Sequence, residues 1–223
     1  MAVAFDAFTD DGVSGTGNLS WTHTPVGTPR AILVSIAQYV TGADEVSGVT
    51  YGGVAMSRVA VNLKATGQPG GGYVYILGSN IPTGAQTVSV TVSASTATRR
   101  GTSMSLTGAA DTETVDSDTT INSDSLENPS VTLSHAGRTC FDAIVFMSGQ
   151  NDVSLISPLA NWTARLEVDA GPRTLGFYTF DTISASDATA GWTQTAQDAV
   201  MVALAVSEVV AAAGNPWYAY AQQ

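Results

Sequence analysis

The chain has 223 residues, of which 12% are charged, and a formal net charge of -11; soluble globular proteins carry about 25% charged residues. Eight Lys and Arg residues in all, spread from Arg30 to Arg173, cannot build a phosphate-neutralising stripe, which excludes a nucleic-acid partner. No apolar run approaches the ~20 residues of a membrane-spanning helix, and the longest candidate, Ala199 to Ala213, is interrupted by Ser207 and Glu208. No membrane insertion is expected.

The polar surface comes instead from 28 Thr and 22 Ser, while the helix formers Lys and Glu number one and five. Threonine, valine and tyrosine favour pleated, half-buried surfaces, so the expectation is an all-β chain. The N-terminus, Met1-Ala2-Val3-Ala4-Phe5-Asp6, lacks the basic stretch and apolar core of a secretory leader.

In chain order, alternating or apolar runs bounded by Gly, Pro, Asn and Asp predict strands at Asn18–Thr24, Ala31–Tyr39, Gly48–Tyr51, Val54–Val61, Tyr73–Leu77 and Thr87–Ser93. They continue at Thr102–Thr107, Ser130–Ser134, Cys140–Ser148, Trp162–Val168, Thr174–Asp181 and Ala199–Glu208. Val88, Val90 and Val92 alternate with Thr87, Ser89, Thr91 and Ser93, a period of two with one buried face. The run Met201–Val206 is rich in alanine, but its β-branched alternation and missing cap favour a buried strand. Gly70-Gly71-Gly72 reads as a hairpin turn, since no Lys or helix follows to make a phosphate loop.

A weak repeat relates the two halves. Asn18-Leu19-Ser20-Trp21-Thr22-His23 resembles Asn128-Pro129-Ser130-Val131-Thr132-Leu133-Ser134-His135, and each leads through a turn into a strongly apolar run. The expected organisation is one antiparallel, jelly-roll-like β-sandwich over residues 1–210 with internal pseudo-duplication. Its halves, about 15–110 and 128–210, interleave their strands. Residues 111–127, the densest acidic stretch, form an exposed connection between them, and residues 211–223 form an aromatic C-terminal tail. In that tail Trp217, Tyr218 and Tyr220 would make an exposed apolar patch and are the candidate partner-binding residues.

Chemistry-bearing motifs are few. The two histidines, His23 and His135, end equivalent strands and read as structural caps; the single cysteine, Cys140, reads as a buried small hydrophobe. The stretch Asp116 to Glu127 places oxygen-bearing side chains, among them Asp116, Asp118, Asn122, Asp124 and Glu127, at the spacing of a calcium loop. Ile121 stands where that loop needs glycine and strands flank it, so these five are weak metal candidates and a solvated connection is expected. Trp21, Trp162, Trp192 and Tyr51 could stack on a sugar ring, although core packing is the commoner role of tryptophan. Trp192, in the turn-rich stretch Thr189–Ala196, is the candidate ligand contact. No cofactor motif occurs, no pair of carboxylates stands out for glycoside cleavage, and no enzymatic activity is expected.

Four segments carry a resemblance. Asn18–Thr24, Arg30-Ala31-Ile32-Leu33-Val34, Val49-Thr50-Tyr51-Gly52-Gly53-Val54-Ala55-Met56 and Ile81–Val90 resemble a group of β-sandwich domains found in bacteriophage virion structural proteins and bacterial surface proteins. The resemblance covers about residues 15 to 210, and Val-Thr-Tyr-Gly-Gly-Val is its most specific element. It implies a jelly-roll-like sandwich with a role in virions or at surfaces, and no catalytic site to carry over; a virion location is the expectation. The resulting expectation is a capsid decoration or head-surface protein, homo-oligomeric and bound to other virion proteins. A tail or fibre component and a carbohydrate-binding module that contacts a host-surface glycan are the alternatives.

Overall fold

The computed structural model describes residues 2–12, 15–67, 70–171 and 173–208. The first half contains β1 (Ala4–Asp10), β2 (Leu19–His23), β3 (Ala31–Tyr39), β4 (Val46–Tyr51), β5 (Val54–Ala55), β6 (Ser57–Lys64), β7 (Gly70–Leu77), β8 (Gln86–Val92) and β9 (Thr98–Thr107). The second contains β10 (Ala109–Leu126), β11 (Ser130–Leu133), β12 (Cys140–Ser148), β13 (Ser157–Pro158), β14 (Trp162–Asp169), β15 (Thr174–Ser184), β16 (Ala188–Thr193) and β17 (Gln197–Glu208). Among the described residues the one helical element is a 3-10 turn at Val153–Leu155, and no helix is long and apolar enough to cross a membrane.

The protein is all-β, and its pairings are antiparallel. In the first half a five-stranded sheet, β1-β9-β3-β7-β6, faces a four-stranded sheet, β2-β8-β4-β5. The chain leaves the second sheet after β5 and joins the first as β6, which makes one bent strand shared by both. The second half repeats this order with one strand fewer in the smaller sheet, β10-β17-β12-β15-β14 facing β11-β16-β13. Each half thus has the alternating strand order of a jelly roll.

The expectation of interleaved strands is corrected here. Strand pairing stays within each half, and the halves meet face to face through their five-stranded sheets. The result is four layers, outer–inner–inner–outer. One core fills each sandwich, Trp21, Ile36, Tyr51 and Val88 in the first and Phe146, Trp162, Tyr178 and Trp192 in the second. A third fills the space between the inner sheets with Leu33, Val74, Met104, Phe141, Val202 and Leu204. Strands β3, β7, β12 and β17 are buried on both faces for that reason.

The halves obey an approximate two-fold relation. β6 packs on β10 and β17, with the Asn62 amide donating to the Met201 carbonyl at 3.2 Å, while β1 packs on β15 through the stacked rings of Phe8 and Phe177. Gly70, paired with Tyr39, lies against Met147, and Gly72, paired with Ala37, lies against Val145. The central strands β3 and β12 therefore run in the same direction, and the axis lies along the strands. Arg165 of β14 closes the seam, its guanidinium 4.0 Å from the Phe5 ring centre of β1.

Three further expectations change. Gly70-Gly71-Gly72 is no turn: the three glycines open β7 and are buried, and a Cβ on Gly71 would come within 2.1 Å of the Asn62 carbonyl oxygen. Glycine is needed there because backbones and the opposing inner sheet approach so closely. The acidic stretch expected as an exposed connection, residues 111–127, is almost wholly strand β10, laddered to β17 with several register shifts. It is the edge of its sheet, and charged residues on an edge strand resist pairing with other chains. Finally, β1 and β16 were not anticipated; β16 occupies what read as turn-rich sequence.

Candidate functional site

The two repeat-related histidines differ in chemistry. His135 is fully buried; its Nδ1 lies 2.8 Å from the Ser184 carbonyl oxygen and its Nε2 lies 3.0 and 3.1 Å from the two Asp142 carboxylate oxygens. The carbonyl only accepts, so Nδ1 donates there, and Nε2 faces the Asp142 carboxylate. A catalytic His–Asp pair keeps its second nitrogen for a nucleophile. Here that nitrogen is spent on backbone, tying β12 to the end of β15.

His23 is also fully buried, 3.1 Å from the Thr9 hydroxyl through Nδ1. Burial lowers its pKa to about 4, against the opposing charge of Asp6. The folded value lies below the unfolded one of ~6.5, so the neutral ring's contribution is complete above that pH and is lost as the pH falls from 6.5 toward 4. We expect urea denaturation to show the chain less stable at pH 4.5 than at pH 7, and His23→Leu to remove about 2–3 kcal/mol of that difference. An unchanged pH dependence in the variant would contradict this assignment.

The aromatic candidates are core residues. Trp192 is fully buried and stacks on Phe146 with ring centres 4.2 Å apart, so its expected role as a ligand contact is corrected. Its Nε1 donates to Gln194 Oε1 at 2.8 Å, which also accepts from the Ser148 hydroxyl at 2.6 Å. Trp21 donates to the Ser103 hydroxyl at 2.8 Å and its ring covers Gly101; Trp162 donates to the Thr189 carbonyl at 2.9 Å; Tyr51 is fully buried. Cys140 is buried, and burial pushes its thiol up to about 12.

Of the weak metal candidates, Asp116, Asp118, Asn122 and Asp124 lie within β10, and Glu127 follows it at the surface. An extended backbone passing through these positions is not the loop that wraps a calcium ion. Trp217, Tyr218 and Tyr220 lie outside the described residues.

Among the described residues, one polar feature open to solvent is a bowl of about 500 Å³ on the flank of the first sandwich, where the shared strand crosses from outer to inner sheet. Asp44, the β4 residues Val46 to Gly48, Met56, Arg58, Tyr75 and Ser93 line it. Arg58 Nη1 donates to Asp44 Oδ2 at 2.7 Å, and both side chains are well exposed, 38% and 44%. The Tyr75 hydroxyl, which donates to the Val46 carbonyl oxygen at 3.5 Å, lies beside the guanidinium. The Ser47 and Ser93 hydroxyls donate inward, to the carbonyls of Thr91 and Glu45. Both walls are irregular: the register shifts between Val46 and Gly48 in β4 and between Arg58 and Ala60 in β6. Such bulges re-aim side chains beside sites.

Behind the bowl, Glu45 and Arg99 form a buried ion pair, with side chains 5% and 0% exposed. Glu45 also accepts from the Thr96 hydroxyl and, at 3.3 Å, from the Ala97 N–H, and Arg99 donates to the carbonyls of Thr16 and Ala97 at 3.0 and 3.2 Å. The pair fixes the loop that carries Asp44. Sequence reasoning missed the whole cluster, whose members are separated by up to 55 positions; the available signal was Arg58, a scarce cation inside a predicted strand.

No protein-family model, curated protein or solved structure matches the chain.

Proposed function

We propose that this protein is a structural subunit of a bacteriophage virion, a capsid decoration or head-surface protein that packs with copies of itself and with other virion proteins. The observation that carries this reading is the pair of jelly rolls fused through a continuous apolar core into one four-layered block. Jelly rolls serve in capsids and lectins alike, and fold alone does not decide between them. The weighting toward a particle comes from the residues that resemble virion sandwiches. It is supported by a surface of neutral hydroxyls and by an acidic edge strand that discourages sheet extension while leaving loops to make contacts.

The test is incorporation. In particles purified on a density gradient the protein is expected to band with the heads at fixed stoichiometry, visible by labelling on the head surface. Deleting Gly214–Gln223, which removes Trp217, Tyr218 and Tyr220, is expected to leave the chain in the soluble fraction. A protein absent from banded particles overturns the reading, and labelling of tails would move the subunit there. Full incorporation of the truncated chain removes the tail's anchoring role.

A further inference from the structure

The repeat offers an internal control. Arg58 pairs with Tyr75 and Tyr75 with Val34, while Ala164 pairs with Tyr178 and Tyr178 with Ile144. Tyr75 and Val34 face the core of the first sandwich as Tyr178 and Ile144 face that of the second, and the ladder shifts register directly after Arg58 and directly after Ala164, so these two hold equivalent places. In the second half that place carries no charge, and the Tyr178 hydroxyl donates instead to Glu167. In the first half Arg58 and Asp44 stay at the surface of an open bowl. Core packing does not require this arrangement, because its twin manages without it.

We propose that the bowl is a binding site for a neutral sugar unit of a glycan. Arg58 and Asp44 neutralise each other, so the site presents fixed donors and acceptors without net charge, and the protein's net charge of -11 repels anionic ligands. Adjacent hydroxyls of a pyranose each donate and accept. They can donate to Asp44 Oδ1, which no described residue bonds, and to the outward lone pairs of Ser47 and Ser93, while accepting from the guanidinium. The guanidinium is held by Asp44 with Tyr75 beside it, which pre-pays part of the ordering of a long side chain. The volume of about 500 Å³ suits one or two sugar rings. This deepens the contact of the virion protein with a host surface, and the assay on isolated chain fails or succeeds independently of particle incorporation.

A glycan array probed with the isolated full-length chain tests it. Glycans bearing neutral hexose or N-acetylhexosamine ends are expected to be retained. Arg58→Ala and Asp44→Ala each weaken retention at least tenfold, whereas Ala164→Ser, at the equivalent place in the second half, leaves it unchanged. Asp44→Asn leaves the guanidinium uncompensated and shifts preference toward carboxylate-bearing glycans. Circular dichroism identifies any variant that fails to fold, and these exposed side chains are expected to pass. The proposal is overturned if no neutral glycan is retained, if wild type retains only acidic glycans, or if both alanine variants bind as wild type does.

Discussion

Trp192→Ala is expected to lower stability by about 3–5 kcal/mol and the melting temperature by roughly 6–20 °C. The indole is fully buried and stacked on Phe146, so its loss leaves a cavity lined by groups from both sheets of the second sandwich. It also removes a donor to Gln194 Oε1, while the Gln194 amide nitrogen ties Leu126 and Gln197 together by donating to their carbonyls at 2.8 and 3.2 Å. Trp192→Phe keeps much of the packing but loses the N–H with part of the ring, and the lost hydrogen bond should cost about 1 kcal/mol beyond the lost volume. Scanning calorimetry separates these from a surface role: a change below ~0.5 kcal/mol for the alanine variant would mean that the ring is not core.

The second large effect concerns the ion pair behind the bowl. Glu45→Ala is expected to cost about 3–5 kcal/mol, because it leaves the Arg99 guanidinium buried without its counter-charge. Replacing both, as Glu45→Leu with Arg99→Met, should recover most of that loss, since apolar residues of similar volume avoid the desolvation that two buried charges incur. Burial opposes ionisation of Glu45, but hydrogen bonds from Thr96, Arg99 and the Ala97 N–H outweigh it and hold the carboxyl below its ordinary value. Its contribution is therefore present above the unfolded carboxyl pKa and is lost as the pH falls through the folded one. Denaturant titration of the single and double variants decides the matter; a double variant no more stable than Glu45→Ala would rule out the uncompensated charge as the cause.

How much was legible in the sequence can be judged strand by strand. The valines at 88, 90 and 92 alternate because β8 has one face on the first core and one toward solvent, so period alone locates it. The apolar runs of β3, β12 and β17 also declare themselves, and their unbroken apolarity marks strands covered on both faces. What such a run does not say is which sheet covers each face. Two stacked sandwiches and one interleaved sandwich write the same residues into it. The acidic β10 was illegible for a different reason: its order comes from backbone pairing to β17 rather than from its own side-chain pattern. Trp192 sits among glycine, threonine and glutamine that suggest a turn, while its burial is decided by Phe146, 46 positions away. The bowl is hardest to foresee, since Asp44, Arg58 and Tyr75 lie on separate segments and meet only because the shared strand bends between sheets.

The covalent joining of the two halves has one more consequence. An apolar contact of this kind between separate chains would weaken by mass action on dilution. Within a single chain the partner is always present at the high local concentration set by the short link between β9 and β10. The four-layered block therefore keeps its halves together at any dilution.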